Sequence, residues 1–159
     1  MAGPLPPERF RRITVAIDGS APAVEALGLA IDLAHRYGSE LSIVAVAPII
    51  PVYVAPTEPL VPAAVAETDL PRYRALVDGA VRTAAAGGVV GPTGAALEGS
   101  VADEILGWVE QHPSDLLIVG SRGLSTTKRI LLGSVSAALV NHAPCPVLVV
   151  RGASTKAAG

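Results

Sequence analysis

The fold is indicated most clearly by the segment Leu116-Leu117-Ile118-Val119-Gly120-Ser121-Arg122-Gly123. Its first four residues form an unbroken apolar run, which is typical of a strand covered on both faces in a parallel sheet. The glycines that follow indicate a loop whose main chain is left open. A helix is predicted from Ser134, directly after Gly133. The segment therefore predicts a buried strand, then a long loop, then a helix.

The same alternation of apolar runs and helical periodicity extends in both directions along the chain. The predicted strands are Ile13–Ile17, Glu40–Ala47, Val89–Leu97, Leu116–Val119 and Val147–Val150. Four helices are predicted between them, so we expect one doubly wound α/β domain with a five-stranded parallel sheet. The third strand contains Gly91, Pro92 and Gly94, which predicts a position at an edge of the sheet.

Helix ends are marked by residues with known capping preferences. Ser20 is a predicted N-cap, and Gly38 is placed to end the same helix in a left-handed conformation. The segment Ser100-Val101-Ala102-Asp103 resembles a capping box with a shortened acid at its third helical position. Apolar residues at helical spacing predict one buried face of the first helix. They are Val24, Leu27, Ile31 and Ala34.

Composition excludes several classes of protein. The net charge of -2 and the 3% aromatic content do not favour binding to DNA or RNA. No apolar run is long enough to span a bilayer, and the single cysteine, Cys145, suits a reducing compartment. We therefore expect a cytoplasmic protein. The proline-rich segment 48–67 is predicted to be a long loop, and residues 1–8 and 152–159 are predicted to be flexible tails.

Charge is distributed unevenly along the chain. No Asp or Glu occurs from Leu116 to Gly159, whereas this part contains five basic residues. They are Arg122, Lys128, Arg129, Arg151 and Lys156. Either this is a chance gradient of surface charge, or the last third of the chain contains an anion site. Composition does not decide between the two.

The spacing of glycines between Gly120 and Gly133 favours the anion site. Gly120 and Gly123 follow a buried strand, and Gly133 precedes a helix. Glycine lets main-chain N–H groups approach phosphate oxygens closely, and a helix N-terminus adds unpaired donors and a partial positive charge. Ser134 is predicted either to cap the helix or to bind a phosphate through its hydroxyl. The alternative is that the glycines only form turns.

A second group of residues is predicted at the same edge of the sheet. Ligands of doubly wound sheets bind beyond the carboxyl ends of strands where the strand order reverses. If the first and fourth strands are neighbours, Asp18 lies close to Gly120 and is able to accept a hydrogen bond from a ribose hydroxyl or to help hold a metal ion. Its alternative role is to stabilise the turn. Ala16 and Val46 are small or apolar enough to flank a flat base, or they belong to the ordinary core.

Motifs of several enzyme classes are absent from the sequence. There is no P-loop pattern, no GxGxxG after the first strand and no GxSxG nucleophile motif. His35, His112 and His142 lack a metal-binding spacing. We therefore predict neither catalytic residues nor metal ligands from the sequence.

The chain resembles the universal stress protein family. The ATP-binding pattern of that family is a glycine, two residues, a glycine, nine residues, then a glycine followed by Ser or Thr. The segment from Gly120 to Ser134 matches this pattern without a gap. The first strand with its Asp-x-Ser end and the closing strand Pro146–Arg151 also match. The resemblance implies a Rossmann-like domain over residues 9–151, a sheet of order 3-2-1-4-5 and a homodimer formed through Val147–Val150.

The resemblance also implies a set of ATP contacts. These are Ala16, Asp18, Val46, Gly120, Ser121, Arg122, Gly123, Gly133, Ser134 and Val135. An ATP-binding regulatory protein of the stress response is then expected, with at most slow hydrolysis and with Mg²⁺ held mainly by the phosphates. Three alternatives remain: a dimeric interaction module that binds no nucleotide, a regulator that binds AMP or a cyclic nucleotide, and an enzyme that turns over ATP.

Overall fold

The computed structural model of the chain describes residues 10–49, 68–123 and 132–152. Strands and helices alternate along these residues. The strands are β1 (Arg12–Ala16), β2 (Glu40–Pro48), β3 (Thr93–Gly99), β4 (Leu116–Gly120) and β5 (Val147–Val150). The helices are α1 (Ala21–Tyr37), α2 (Leu70–Ala86), α3 (Val101–Gln111) and α4 (Ser134–His142). The predicted α/β class, with five strands and four helices, is confirmed.

All strand pairs in the sheet are parallel, and the strand order is β3-β2-β1-β4-β5. The central strand β1 pairs with β2, where Ala16 faces Val44, and with β4, where Ala16 faces Val119. The order therefore reverses between β1 and β4, whose carboxyl ends lie side by side. The edge position predicted for the third strand is confirmed.

The helices cover the sheet in two layers. On the first face, α1 and α2 pack over Ile13, Val15 and Ile118, which belong to one buried cluster. On the second face, α3 and α4 pack over Leu117 and Val119 in a separate cluster. The alternation of side chains along β4 thus sends neighbouring residues into different cores, as expected of a strand buried on both faces.

The capping residues of α1 act as predicted, and its predicted buried face is confirmed in part. Ser20 Oγ accepts a hydrogen bond from the Ala23 amide at 3.4 Å, and Gly38 ends the helix with a φ of 63°. The buried residues are the alanines Ala23, Ala26, Ala30 and Ala34. The predicted Ala34 is thus buried, and Leu27 and Ile31 are partly buried against the core. The prediction that Val24 is buried is wrong, because its side chain is 61% exposed. Alanines allow a helix to approach the sheet more closely than branched residues do, so the buried stripe follows them.

Two other local predictions need correction. The third strand begins at Thr93 and not at Val89, because Gly88 and Gly91 adopt positive φ values of 91° and 60° and form a turn before it. The Ser100 side chain forms no capping hydrogen bond, so the predicted capping box is wrong. The acid at its third helical position is one methylene shorter than the usual glutamate, which reduces its reach toward the cap.

Some sequence predictions fall on residues outside the described ranges. These include most of the predicted loop at 48–67 and nearly all of the predicted tails. Pro48 itself is the last residue of β2. Within the described residues, no helix combines the length and the apolar character needed to cross a bilayer.

Candidate functional site

A cavity of about 320 Å³ opens at the carboxyl ends of β1, β2 and β4. It lies where the strand order reverses, which is the position predicted from the sheet topology. Among the residues predicted as ligand contacts, all except Ser121 line it. They are Ala16, Asp18, Val46, Gly120, Arg122, Gly123, Gly133, Ser134 and Val135. Residues from four elements (β1, β2, β4 and α4) and from the loops beside them are therefore brought together as the sequence predicts, and ligand binding by them stays a prediction.

The turn between β1 and α1 positions Asp18 at the mouth of the cavity. Its Oδ1 accepts a hydrogen bond from the Ser20 amide at 2.9 Å, an Asx-type contact that fixes the carboxylate. Gly19 between them has a φ of 85°, a conformation that favours glycine. Asp18 thus performs the turn-stabilising role predicted as its alternative, while Oδ2 takes no part in that hydrogen bond.

Gly123 faces the free edge of this carboxylate. A Cβ atom built on Gly123 would lie 2.9 Å from Asp18 Oδ2, so the carboxylate would have to shift to admit it. The glycine therefore keeps the space between the two loops open. Gly120 is a glycine for a different reason, because a Cβ there would lie 3.0 Å from the Ala23 amide nitrogen and from Pro22 of α1.

Ser121 is buried, with 2% of its surface exposed, and it acts through its main chain. Its amide donates to the Val150 carbonyl at 2.7 Å, which joins this loop to β5. Its carbonyl accepts from the Gly133 amide at 2.7 Å and from Ser136 Oγ at 2.9 Å. Ser121 therefore fastens the beginning of the glycine-rich segment to the start of α4, and it is not part of the cavity wall.

The start of α4 faces the cavity with its main chain. The N-cap is Gly133 and not Ser134, which is the first helical residue and has an exposed side chain. The hydroxyl of Ser136 donates to the Ser121 and Gly133 carbonyls. The amides of Ser134 and Val135 form no hydrogen bond with another described residue. These unpaired donors and the helix dipole favour a negatively charged ligand at this end of the cavity.

Basic side chains are only partly described. Arg122 lines the cavity and is half-buried, and its carbonyl accepts a hydrogen bond from Ser20 Oγ at 3.4 Å. Lys128 and Arg129, which were predicted to offset negative charge, lie outside the described residues. Of the residues described, no three His, Cys, Asp or Glu side chains are grouped closely enough to hold a metal ion.

The remaining wall of the cavity is apolar. The sheet contributes Ala16, Val46 and Val119 to this wall. They belong to the buried cluster beneath α3 and α4, which we call the second-face core, and the cluster beneath α1 and α2 is called the first-face core. Ile105 from α3 and Leu139 from α4 complete this wall. A flat, uncharged group would replace water against these side chains at a gain of about 25 cal/mol per Å² of apolar surface. Ile105 and Leu139 were not predicted, since helical periodicity marks them as core without showing that the core opens there.

Tyr73 of α2 also lines the cavity, although it is not among the predicted ligand contacts. Burial raises the pKa of its phenol above the usual value near 10, the charge of Arg72 opposes this effect, and the charge of Asp18 adds to it. The phenol is therefore neutral at physiological pH and is able both to donate and to accept a hydrogen bond.

Comparison with known proteins identifies the family of the chain. Residues 9–151 match the model of the universal stress protein family. The chain is 35% identical to universal stress protein YxiE of Bacillus subtilis over 150 residues, covering 89% of this chain and 99% of that protein.

Solved structures show the same fold. UspA from Lactobacillus plantarum matches with a TM-score of 0.69 and 25% identity over 90% of this chain and 99% of that one. A universal stress protein in complex with cAMP matches with a TM-score of 0.65 and 26% identity over 91% of this chain and 98% of that one. The chain belongs to the universal stress protein family.

Proposed function

We propose that this protein binds ATP in the cavity at the carboxyl ends of β1 and β4 and acts as a nucleotide-dependent regulator of a stress response. One observation carries the proposal. A single cavity joins an apolar wall, the carboxylate of Asp18, and a polar end built from main chain at Gly120–Gly123 and at the start of α4. These three parts suit a base, a sugar and a polyphosphate in that order.

The phosphates are assigned to the glycine-rich end. The amides of Ser134 and Val135 have no other partner among the described residues, and the positively charged Arg122 lines the same cavity. Hydrogen bonds from such donors to phosphate oxygens are charge-assisted and thus stronger than neutral ones. Mg²⁺ would accompany ATP through the phosphates, because two acidic ligands do not meet in the described part of the cavity.

The base is assigned to the apolar wall. Ala16, Val46 and Val119 lie at the carboxyl ends of neighbouring strands and offer a smooth surface without charge. Asp18 lies between this wall and the glycine-rich end, where a ribose would join the base to the phosphates. Its Oδ2 is free of the turn hydrogen bond and would accept from a sugar hydroxyl.

A second ligand class is favoured by one relative. The structure of a universal stress protein with cAMP is 26% identical to this chain, so AMP or a cyclic nucleotide is the alternative ligand. A cyclic phosphate lacks the two terminal phosphates of ATP and would use fewer of the donors at the start of α4. Relative affinity for ATP, AMP and cAMP therefore discriminates between the two assignments.

Isothermal titration calorimetry of the full chain tests the proposal. We expect saturable binding of ATP with Mg²⁺, and weaker binding of AMP and cAMP. Mass spectrometry of gently purified protein would identify any nucleotide that copurifies. Absence of binding for all three nucleotides at millimolar concentration would overturn the proposal. Phosphate release measured in parallel is expected to be slow or undetectable.

A Gly123→Val substitution tests the position of the ligand. Its Cβ would lie 2.9 Å from Asp18 Oδ2 and would fill the space between the two loops, so binding should be abolished with little change in stability. Gly28→Val in α1 is the control, since a Cβ there meets no atom within 4 Å. Unchanged ATP affinity in Gly123→Val would contradict the pocket assignment.

A homodimer formed through β5 is the second part of the proposal. This strand is at the edge of the sheet and pairs only with β4 among the described strands, and its residues are half-exposed in one chain. The carbonyls of Pro146 and Val150 accept hydrogen bonds from the β4 side, so by alternation the amides of Val147 and Val149 point outward.

A proline at an outward-pointing position tests the dimer. Val149→Pro would remove a donor that β4 does not use, and proline is tolerated on sheet edges. We expect wild type to sediment as a dimer and the variant as a monomer with unchanged helical circular dichroism. A wild-type monomer at all concentrations, or a variant that still dimerises, would contradict an interface through β5.

A further inference from the structure

Tyr73 is a polar residue of the cavity that the family pattern of glycines does not include. It lies in the first turns of α2, and only 7% of its surface is exposed. Its ring packs within the first-face core, while the side chain also forms part of the cavity wall. It therefore reaches the cavity from the side of the sheet opposite to Ile105 and Leu139.

The hydroxyl of Tyr73 is without a partner in the part of the chain that the structure describes. It forms no hydrogen bond with any residue in the described ranges. The hydroxyl is also accessible to water. Within those ranges, the polar side-chain atom that is both fully buried and without a hydrogen-bond partner is the indole nitrogen of Trp108, and not the Tyr73 hydroxyl. A buried tyrosine normally satisfies its hydroxyl, so this one is open to a group that enters the cavity.

Tyr73 and Asp18 line the same cavity, and α2 packs against the turn that carries Asp18. A Cβ at Gly19, in the turn that carries Asp18, would lie 3.9 Å from the Leu76 methyl groups of α2. The charge of Asp18 also contributes to the raised pKa of Tyr73. The two groups therefore form one polar corner, which we call the Asp18–Tyr73 corner.

The chemistry of this corner suits a sugar and not a phosphate. The carboxylate of Asp18 repels a phosphate but accepts hydrogen bonds from hydroxyl groups. The neutral phenol of Tyr73 donates one hydrogen bond and accepts another. A pair of adjacent hydroxyl groups, such as the 2′ and 3′ hydroxyls of ribose, satisfies both partners, whereas the main-chain donors for phosphate lie at Gly120–Gly123 and α4.

We propose that the Tyr73 hydroxyl forms a hydrogen bond with a ribose hydroxyl of the bound nucleotide, beside Asp18, and so makes the site specific for a sugar with free hydroxyl groups. The proposal rests on nucleotide binding in this cavity. It adds a contact from α2 to a site that is otherwise built from β1, β2, β4, α1, α3 and α4 and the loops beside them.

A Tyr73→Phe substitution tests this contact with three ligands: ATP, 2′-deoxy-ATP and 3′-deoxy-ATP. Loss of one hydrogen bond to the sugar should weaken ATP binding about tenfold. The same substitution should leave the affinity for at least one deoxy ligand unchanged, because that ligand has already lost the contact. Tyr37→Phe is the matched control, since Tyr37 is exposed at the end of α1.

Stability separates this role from a structural one. The Tyr73 hydroxyl has no partner within the described chain, so the denaturation midpoint of Tyr73→Phe without nucleotide should equal that of wild type or exceed it slightly. Equal weakening of all three ligands, or no weakening of ATP, would overturn the sugar contact while leaving nucleotide binding intact. If wild type binds none of the three ligands, both proposals are overturned.

Discussion

The two faces of the sheet are covered unequally. On the first face, α1 and α2 contain 17 residues each and close the core along the strands. On the second face, α3 contains 11 residues and α4 contains 9, and the core opens into the cavity at the carboxyl ends of the strands. The apolar wall of the cavity is continuous with the second-face core, because Ala16, Val46 and Val119 belong to both.

This difference suggests different roles for the two faces: the first mainly stabilises the fold, and the second mainly binds the ligand. Most of the first-face core lies away from the cavity, so its residues that do not line the cavity should determine stability and hardly affect affinity. The second-face core is incomplete where the cavity begins, so a nucleotide would finish its packing and stabilise it. A ligand that binds only the native state raises stability by RT ln(1 + [L]/Kd). Substitutions on the two faces should therefore respond differently to nucleotide.

The largest expected effect comes from truncating one fully buried side chain on each face. Ile118→Ala on the first face and Leu139→Ala on the second should each lower the free energy of unfolding by about 2–5 kcal/mol, since both side chains are 0% exposed. Only Leu139 lines the cavity, so only its truncation should also weaken ATP binding. Urea denaturation and calorimetry of both variants measure the two quantities.

Equal loss of ATP affinity in the two variants would contradict the assignment of ligand binding to the second face. It would mean that the cavity depends on the whole sheet and not on the second face. Where a variant is too unstable at room temperature, titration at lower temperature keeps the folded fraction high enough to measure affinity.

Gly120 provides the next largest effect, because it connects the cavity to the first face. An Ala at this position would press its Cβ against main-chain atoms of Pro22 and Ala23 at 3.0 Å, so Gly120→Ala should lower the free energy of unfolding by about 1–3 kcal/mol. Thermal denaturation measures it. Gly107→Ala in α3 is the control and should stabilise by up to about 1 kcal/mol, because its Cβ meets no atom within 4 Å.

A stable Gly120→Ala variant with weakened ATP binding would contradict this assignment. In that case Gly120 would act only on the ligand, as we expect of Gly123.

Much of the fold was predictable because strong local signals agree with the tertiary structure. The apolar run at Leu116–Val119 correctly predicted an inner strand that is buried on both faces, and the proline and glycine residues near the third strand correctly predicted an edge strand. The rotation of α1 was not predictable, since Val24 fits a helical stripe as well as its neighbours do. Only the sheet beneath the helix shows that the alanines face inward.

The candidate site was predictable where residues act through backbone conformation and chain position. The spacing of Gly120, Gly123 and Gly133 predicted one end of the cavity, and strand order predicted the neighbouring Asp18. Tyr73 and Ile105 were not predictable as cavity residues, because sequence distinguishes a buried residue from an exposed one but not a core residue from one beside a cavity. That distinction depends on helix length and on packing between elements.

Ser136 gives a smaller effect that separates stability from affinity within α4. Its buried hydroxyl donates to the carbonyls of Ser121 and Gly133, so Ser136→Ala should lower the free energy of unfolding by about 1 kcal/mol. Ser134→Ala is the matched control, because this side chain is exposed and should affect ATP affinity more than stability. Chemical denaturation and calorimetry of the pair test the difference, and reversed effects would contradict it.

The smallest expected effect concerns the thiol of Cys145, between α4 and β5. The side chain is half-buried against the second-face core. Burial raises the pKa of this thiol above its usual value of 9.0, a hydrogen bond with the Leu117 backbone opposes the effect, and the charge of Asp115 adds to it. A raised pKa means a smaller thiolate fraction at pH 8, and the thiolate is the reactive form.

Cys145 should therefore react with a thiol reagent at pH 8 more slowly than a cysteine in the unfolded chain does. Its rate should continue to rise with pH above 9, where an unperturbed thiol is already half ionised. If nucleotide completes the second-face core, saturating ATP should slow the reaction further, because local opening of α4 becomes rarer. A rate that ATP leaves unchanged would show that α4 opens independently of the cavity, and the second face would then have to be treated as two separate units.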